Sequence, residues 1–270
     1  MEFIKLPREE NILTKPLYEE VFSEDKGAFS DYYYDHAAVK SDIYVARDEN
    51  GIHSMVHLNP YLLNWNGDLI EIPYIVAVAT SEKQRHRGLM RGLLEQIFRD
   101  LEKRHVPFAF LMPVNEAIYT PFGFERTWSW QWEEDVMGVR GADPEQHSEG
   151  HRLPGGGMGV CGETLTGAEE CSDKLLADLS DHVNTELSGK FELFTHRSAE
   201  YYRKLAFEQK ASGGQLLICM KNGIPQAAIQ TARENYPPMM CRIMDREAYE
   251  RRLKREGDRP FEKAYVCEVV

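Results

Sequence analysis

Apolar positions along this chain change period from one segment to the next. Ile72 to Ala79 is nearly all apolar and rich in β-branched residues, the composition of a strand covered on both faces. Soon after, Leu89, Met90, Leu93, Leu94, Ile97, Phe98 and Leu101 recur at three- and four-residue spacings. That spacing predicts an amphipathic helix whose apolar stripe packs on the sheet, with Arg91, Glu95, Gln96, Arg99 and Asp100 on the opposite face. Pro107 to Met112 reads as a second short apolar strand. Farther along, helices are expected over 168–190 and 198–210, and strands over 215–220 and 226–231 around Asn222-Gly223, a hairpin signal. The run Gly155 to Gly159, after the polar stretch Arg140 to Gly150, reads as a linker between two composition regimes. At 270 residues one or two domains with an ample core are expected.

The segment between the first strand and its helix carries the chemistry. Lys83, Arg85, His86, Arg87 and Arg91 crowd the helix start in a chain of formal charge −12, a local reversal of the overall field. Cations are mildly unfavourable at the positive end of a helix dipole, and an anion there removes that cost. Free N–H groups of a first helical turn hold phosphate oxygens, and Gly88 lets a ligand approach closely, so a phosphate ligand accounts for geometry and charge together. The plainer reading is a solvated basic surface loop.

Composition narrows the rest. The acidic excess argues against general nucleic-acid binding. Glu133-Glu134-Asp135, Glu169-Glu170 and the stretch Glu19 to Asp25 either steer cationic acceptors or are solvated surface charge. Five cysteines, at 161, 171, 219, 241 and 267, form no Cys-x-x-Cys pair, which points to reduced thiols and a cytoplasmic setting. The nine histidines show no zinc-ligand spacing; His53 and His57 share a face only if 51–58 is a strand, as substrate lining or a satisfied pair. No secretory signal, bilayer-spanning window, serine-hydrolase elbow or nucleotide-triphosphatase loop is present.

Arg85-x-x-Gly88-x-Met90 resembles the pyrophosphate loop of the GNAT superfamily of N-acetyltransferases, Gln/Arg-x-x-Gly-x-Gly/Ala, with Met90 at the last position. PVNEAIYTPFGFERTWSW, Pro113 to Trp130, looks like the distal half of a GNAT core, where two parallel strands splay apart. More narrowly, VAVATSEKQRHRGLMR together with FAFLMPVNEAIYTPFGFE resembles the enhanced intracellular survival (Eis) type of acetyltransferase, over residues 1 to 135, with Val21 to His36 in the place of that family's acceptor-side lid.

The resemblance implies an α/β (α+β) fold with a mixed sheet and splayed central strands, followed by a smaller, degenerate GNAT-like module. It implies acetyl-CoA as co-substrate, no metal, and acetyl transfer to a primary amine of a small cationic molecule or lysine-bearing peptide. Tyr119 matches the general acid that protonates the departing thiolate; the alternative is a core aromatic. The backbone of Val76, Ala77 and Val78 is implied to pair with the pantetheine arm, and Arg85, His86, Arg87, Gly88, Leu89 and Met90 to hold the pyrophosphate. Asn115 either bonds the cofactor's amides or is a helix cap, and the three tyrosines at 32 to 34 either face the substrate or serve as packing. Glu71 is the candidate base, or a solvated strand-end charge opposite Asp68. The implied division is a GNAT domain over 1–140, a shortened second module over 155–236, and the start of a truncated sterol-carrier-like domain over 237–270, opened by Pro237 to Glu250. Val270 then need not deliver its carboxylate to the site, and the apolar edge left by the missing sheet implies homo-oligomerisation. The alternative function is a non-catalytic acyl-CoA-binding regulatory or interaction protein.

Overall fold

The computed structural model describes residues 1–139, 157–159, 163–234, 236–253 and 260–267. The chain opens with strand β1 (Glu2–Lys5) and a lid formed by helix α1 (Lys15–Val21), helix α2 (Ala28–Tyr32) and a five-residue π-helical turn, Tyr33–Ala37. Strands β2 (Asp42–Asp48), β3 (Gly51–Trp65) and β4 (Asp68–Thr80) follow as an antiparallel meander. Asn66 and Gly67, both at positive φ, make the tight β3–β4 turn, the geometry that matches the right-handed twist of paired strands. Helix α3 (Leu89–Lys103) crosses to strand β5 (Phe108–Leu111), which pairs with β4 in parallel. Short helix α4 (Glu116–Tyr119) and strand β6 (Glu125–Arg126) come next.

The expected elements lie close to their places. The apolar stripe of α3 is buried at Leu89, Leu93, Leu94, Ile97, Phe98 and Leu101, each such side chain contributing roughly 1.5–3 kcal/mol of burial. It packs on one face of the sheet with Tyr44, Ala46, Ile75 and Leu111. On the other face, the lid covers Ile43, Val45 and Met55 at one end, while the later half of the chain covers Leu63, Ile72 and Phe108 at the other.

That later half begins with helix α5 (Glu133–Val136) and contains a four-stranded sheet in the order β11 (Ile224–Gln230), β10 (Leu216–Lys221), β8 (Glu163–Gly167), β7 (Gly157–Gly159). The described end of the predicted glycine linker is thus an edge strand, and Arg140 to Gly150 lies outside the described residues. Helices α6 (Asp173–Lys190) and α7 (Ala199–Ala211) are capped by Ser172 and Ser198, whose hydroxyls accept from Leu175 and Tyr201 N–H. Strand β9 (Leu193–Thr195), between these helices, pairs with Leu63–Trp65 of β3, so the two halves share a core.

The segment expected to open a separate sterol-carrier-like domain sits in the first sheet. Strand β12 (Met240–Ile243) lies between β5 and β6, antiparallel to both. The physical reason is legible: all of β5 is buried, its outer edge needs a ladder partner, and β6 has only two residues. The chain continues through helix α8 (Arg246–Glu250) to strand β13 (Ala264–Tyr265), parallel to β9. This end of the sheet therefore closes on exposed Glu125 and Arg126, charges of the kind that blunt an edge, where an apolar edge left by a missing sheet was expected. Val270 lies outside them.

Other expectations also shift. Tyr32, Tyr33 and Tyr34 are 6%, 0% and 3% exposed, so the trio is packing. His53 pairs with Asp48 and His57 with the Tyr33 hydroxyl, and no metal-binding cluster occurs among the described residues. Glu133 and Glu134 are buried rather than solvated. Glu133 accepts from Arg197 Nε at 3.0 Å, the Tyr202 hydroxyl and the Ala228 N–H, and Glu134 pairs with Arg233. Cys171, Cys219, Cys241 and Cys267 are buried without disulfides, and no described helix is long and apolar enough to cross a membrane.

Candidate active site

The site forms where β4 and β5 part. They pair only at Tyr74 and Phe110; β4 runs on to Thr80 whereas β5 stops at Leu111, leaving a wedge between them. The β3–β4 register slips between Met55 and His57, so that Met55 faces Ala79 while His57 faces Val76. This is a β-bulge, and Ala77 within it has φ +49°. A bulge frees backbone groups from the ladder and re-aims them. It also resets the side-chain alternation: Ile75 and Val78 both face α3, while Ala77 turns toward the lid.

Beyond Thr80 the chain makes a 3-10 turn at Glu82–Gln84, then places His86 at φ +63° and Gly88 at φ +78° before α3 begins. Left-handed residues alternating with right-handed or extended ones turn successive N–H groups toward one side, an anion-binding nest at the positive end of a fifteen-residue helix. No acidic residue occupies the helix's first turn, and a Cβ on Gly88 would meet nothing within 4 Å, so the approach is open. Arg85, His86 and Arg87 are exposed. Leu89 is buried and Met90 packs partly buried beside it, so both turn side chains inward and offer only backbone to the loop.

Tyr119 closes the wedge from the β5 side. Its ring is 9% exposed, in one cluster with Val78, Leu89, Met90 and Leu111, and edge-on to Phe124 at 6.1 Å. Burial pushes its phenol up to about 12, which keeps the proton on at neutral pH. No hydrogen bond to its hydroxyl is formed among the described residues. Asn115 caps α4, its Oδ1 accepting from the Ala117 N–H at 2.9 Å, as the capping alternative requires.

Glu71 is not brought to this site. It is exposed on β4, six positions before Ala77, about 20 Å along a strand, and lines a small cavity with Arg8, Asp42 and Arg104. The expectation of a base there fails on distance. Asn59, Tyr61, Thr195 and His196, which line a cavity below the lid, escaped notice because no local pattern joins positions so far apart in the chain.

The wedge, the bulge and the left-handed turn before α3 adjoin one another along the C-terminal half of β4 and the loop that follows it. Residues 7–127 match the model of the acetyltransferase (GNAT) domain. Over this stretch, a little under half of the chain, the fold is that of a GNAT acetyltransferase domain. Solved structures agree on the fold. A probable N-acyltransferase of unknown function from Enterococcus faecalis is 13% identical with TM-score 0.62, the match covering 92% of this chain and 74% of that one. A GCN5-related N-acetyltransferase from Anabaena variabilis is 14% identical with TM-score 0.56, covering 84% and 53%. Eis1 from Mycobacterium abscessus is 12% identical with TM-score 0.53, covering 83% and 52%. At such identities the likeness is one of fold, and the chain spans only about half the length of the last two. No curated protein matches the sequence. Strand β12, which lies between β5 and β6 in the first sheet, arrives more than a hundred residues after β6, with the whole second sheet between them.

Proposed function

We propose that the chain is an N-acetyltransferase that moves the acetyl group of acetyl-CoA to a primary amine of a small cationic molecule or a lysine-bearing peptide. The observation that carries this reading is the bulge at Ala77 beside the β4–β5 wedge, continuous with the His86–Gly88 nest. In this account the N–H groups of residues 86–90 hold the diphosphate, and Val76 to Val78 pair with the pantetheine arm as an added strand edge. Backbone N–H groups freed at the bulge polarise the thioester carbonyl and stabilise the charge that develops when the amine attacks. Tyr119 donates its proton to the sulfur as the carbon–sulfur bond breaks. A phenol held protonated and without a protein partner is suited to that step. The amine's proton leaves through water, since Glu71 is out of reach.

The test is thiol release from acetyl-CoA against a panel of amines. Release that depends on Tyr119 supports the reading; coenzyme binding without release from any amine would favour the non-catalytic acyl-CoA-binding protein instead.

A further inference from the structure

The lid and helix α7 meet on the side of the first sheet away from α3. Helix α3 covers Ile75 and Val78, so an amine bound for a thioester at the bulge comes from the opposite face. There the lid packs on Ala77 and Ala79, the later half of the chain packs on Ile72 and Tyr74, and half-buried Val76 packs against both groups. The boundary between lid and later half therefore runs past the bulge itself.

Contacts of three kinds hold that boundary. The Tyr32 hydroxyl donates to Glu208 Oε2 at 3.1 Å, with both side chains buried. His36 stacks on Phe207, ring centroids 4.7 Å apart and planes at 6°, and Lys40, just past the lid, pairs with Glu200. Ala211 packs against the lid cluster as well. Positions 200, 207, 208 and 211 of α7 share one face at helical spacing. On the lid side, the π-helical turn Tyr33–Ala37 divides the rings. Tyr32 and His36, with centroids 5.6 Å apart, face α7, while Tyr33 and Tyr34 reach His57 and Thr14. Turns of this width are rare and recur at functional sites.

The Tyr32–Glu208 bond is the strongest of these contacts. A hydrogen bond to a carboxylate is roughly twice as strong as one between neutral groups, and burial keeps water from replacing it. Burial, and then the Glu208 charge, push the Tyr32 phenol well above its usual value, so the hydroxyl keeps its proton and remains the donor.

We propose that Tyr32 and Glu208 are positioning residues for the acceptor: their hydrogen bond lets α7 set the lid wall beside the Ala77 bulge, where the reacting amine lies. The proposal rests on the acetyltransferase reading above and gives the later half of the chain a part in it. A lid held in place presents a formed wall. A loosened lid is competent for a fraction of the time, and apparent acceptor affinity falls by that fraction.

The test uses the full chain in the thiol-release assay, with spermidine and trilysine as amine probes, and follows amide hydrogen exchange. Tyr32→Phe keeps the ring against Phe29 and His36 and leaves Glu208 its other interactions. The amine KM should rise about tenfold, the effect of one hydrogen bond to a charge, while the acetyl-CoA KM and coenzyme A affinity hold. Exchange should quicken over residues 28–37 and stay unchanged over α3. Phe207→Ala, at a ring 47% exposed, removes the His36 stack without opening the core and should raise the amine KM about threefold; it carries the test if Tyr32→Phe does not fold. An amine KM that is unchanged or lowered would overturn the proposal, as would a rise without faster lid exchange or a rise shared equally by acetyl-CoA, the mark of a general loss of structure. No release by the wild type with either amine would instead sink the proposed acceptor class, and this role with it, whatever the lid exchange shows.

Discussion

Replacing Tyr119 with phenylalanine separates the catalytic from the structural role of that ring. The ring is 9% exposed and packs against Phe124, and phenylalanine keeps those contacts. Because the hydroxyl makes no hydrogen bond among the described residues, its removal loses no protein partner. Stability should therefore change by no more than about 0.5 kcal/mol, or about 1–2 °C in melting temperature for a chain of this size. Catalysis should respond very differently. Loss of a positioned general acid lowers turnover by about 10²- to 10⁴-fold, which is about 3–5 kcal/mol of barrier at 1.36 kcal/mol per decade. Affinity for coenzyme A should be unchanged. With the phenol pushed up to about 12, the wild-type rate should show no alkaline limb from Tyr119 below about pH 10. Steady-state thiol release and calorimetric coenzyme A binding on both proteins decide the matter. A variant that turns over at the wild-type rate removes Tyr119 from the mechanism, and one that melts several degrees lower shows that the hydroxyl is structural.

Two further predictions concern what holds the site in place. Arg197→Met leaves the buried Glu133 carboxylate, among the described residues, with the Tyr202 hydroxyl and Ala228 N–H; losing one partner of a buried pair costs about 3–5 kcal/mol, so the melting temperature should drop by about 6 °C or more. A drop under about 2 °C would refute that role for the network. Asp42 sits among Lys5, Arg104 and Arg8 at 2.9, 3.0 and 3.3 Å. Burial would raise its pKa, but the three cations overcome it and hold the carboxyl below its usual range. A folded pKa lowered in this way contributes stability that is present above the unfolded value, about 3.9, and is lost as pH falls through the folded one. Asp42→Asn should thus cost about 1 kcal/mol at pH 7, discounted for the exposed cations, and the gap to wild type should close below about pH 4. A gap that stays constant down to pH 2 would contradict the assignment.

Much of the first sheet was legible because its signals are local. The stripe from Leu89 to Leu101, the apolar run 72–79 and the Asn222-Gly223 hairpin each declare themselves within one element. The turn at residues 85–90 was marked out the same way, by charge and a glycine at a helix start, and it does lie directly before α3. Long-range pairing was not legible. Nothing in Met240 to Ile243 says that it lies beside Phe108 to Leu111, since any short apolar strand satisfies a ladder. Glu133 looks like surface charge because its partner Arg197 is 64 residues away. The bulge at Ala77 left no mark either, because an alanine at φ +49° is imposed by the register of β3 and not by its own preference.

The nest at residues 86–90 is the foundation of the account, and titration calorimetry with coenzyme A and with pantetheine tests it directly. The diphosphate should bring most of the affinity, so coenzyme A should bind at least about a hundredfold more tightly than pantetheine. Gly88→Val, which puts a β-branched side chain at φ +78° on the ligand's approach, should remove most of that advantage while the protein stays folded. Equal binding of the two ligands, or no binding of coenzyme A at all, would contradict the assignment of this turn as the diphosphate seat.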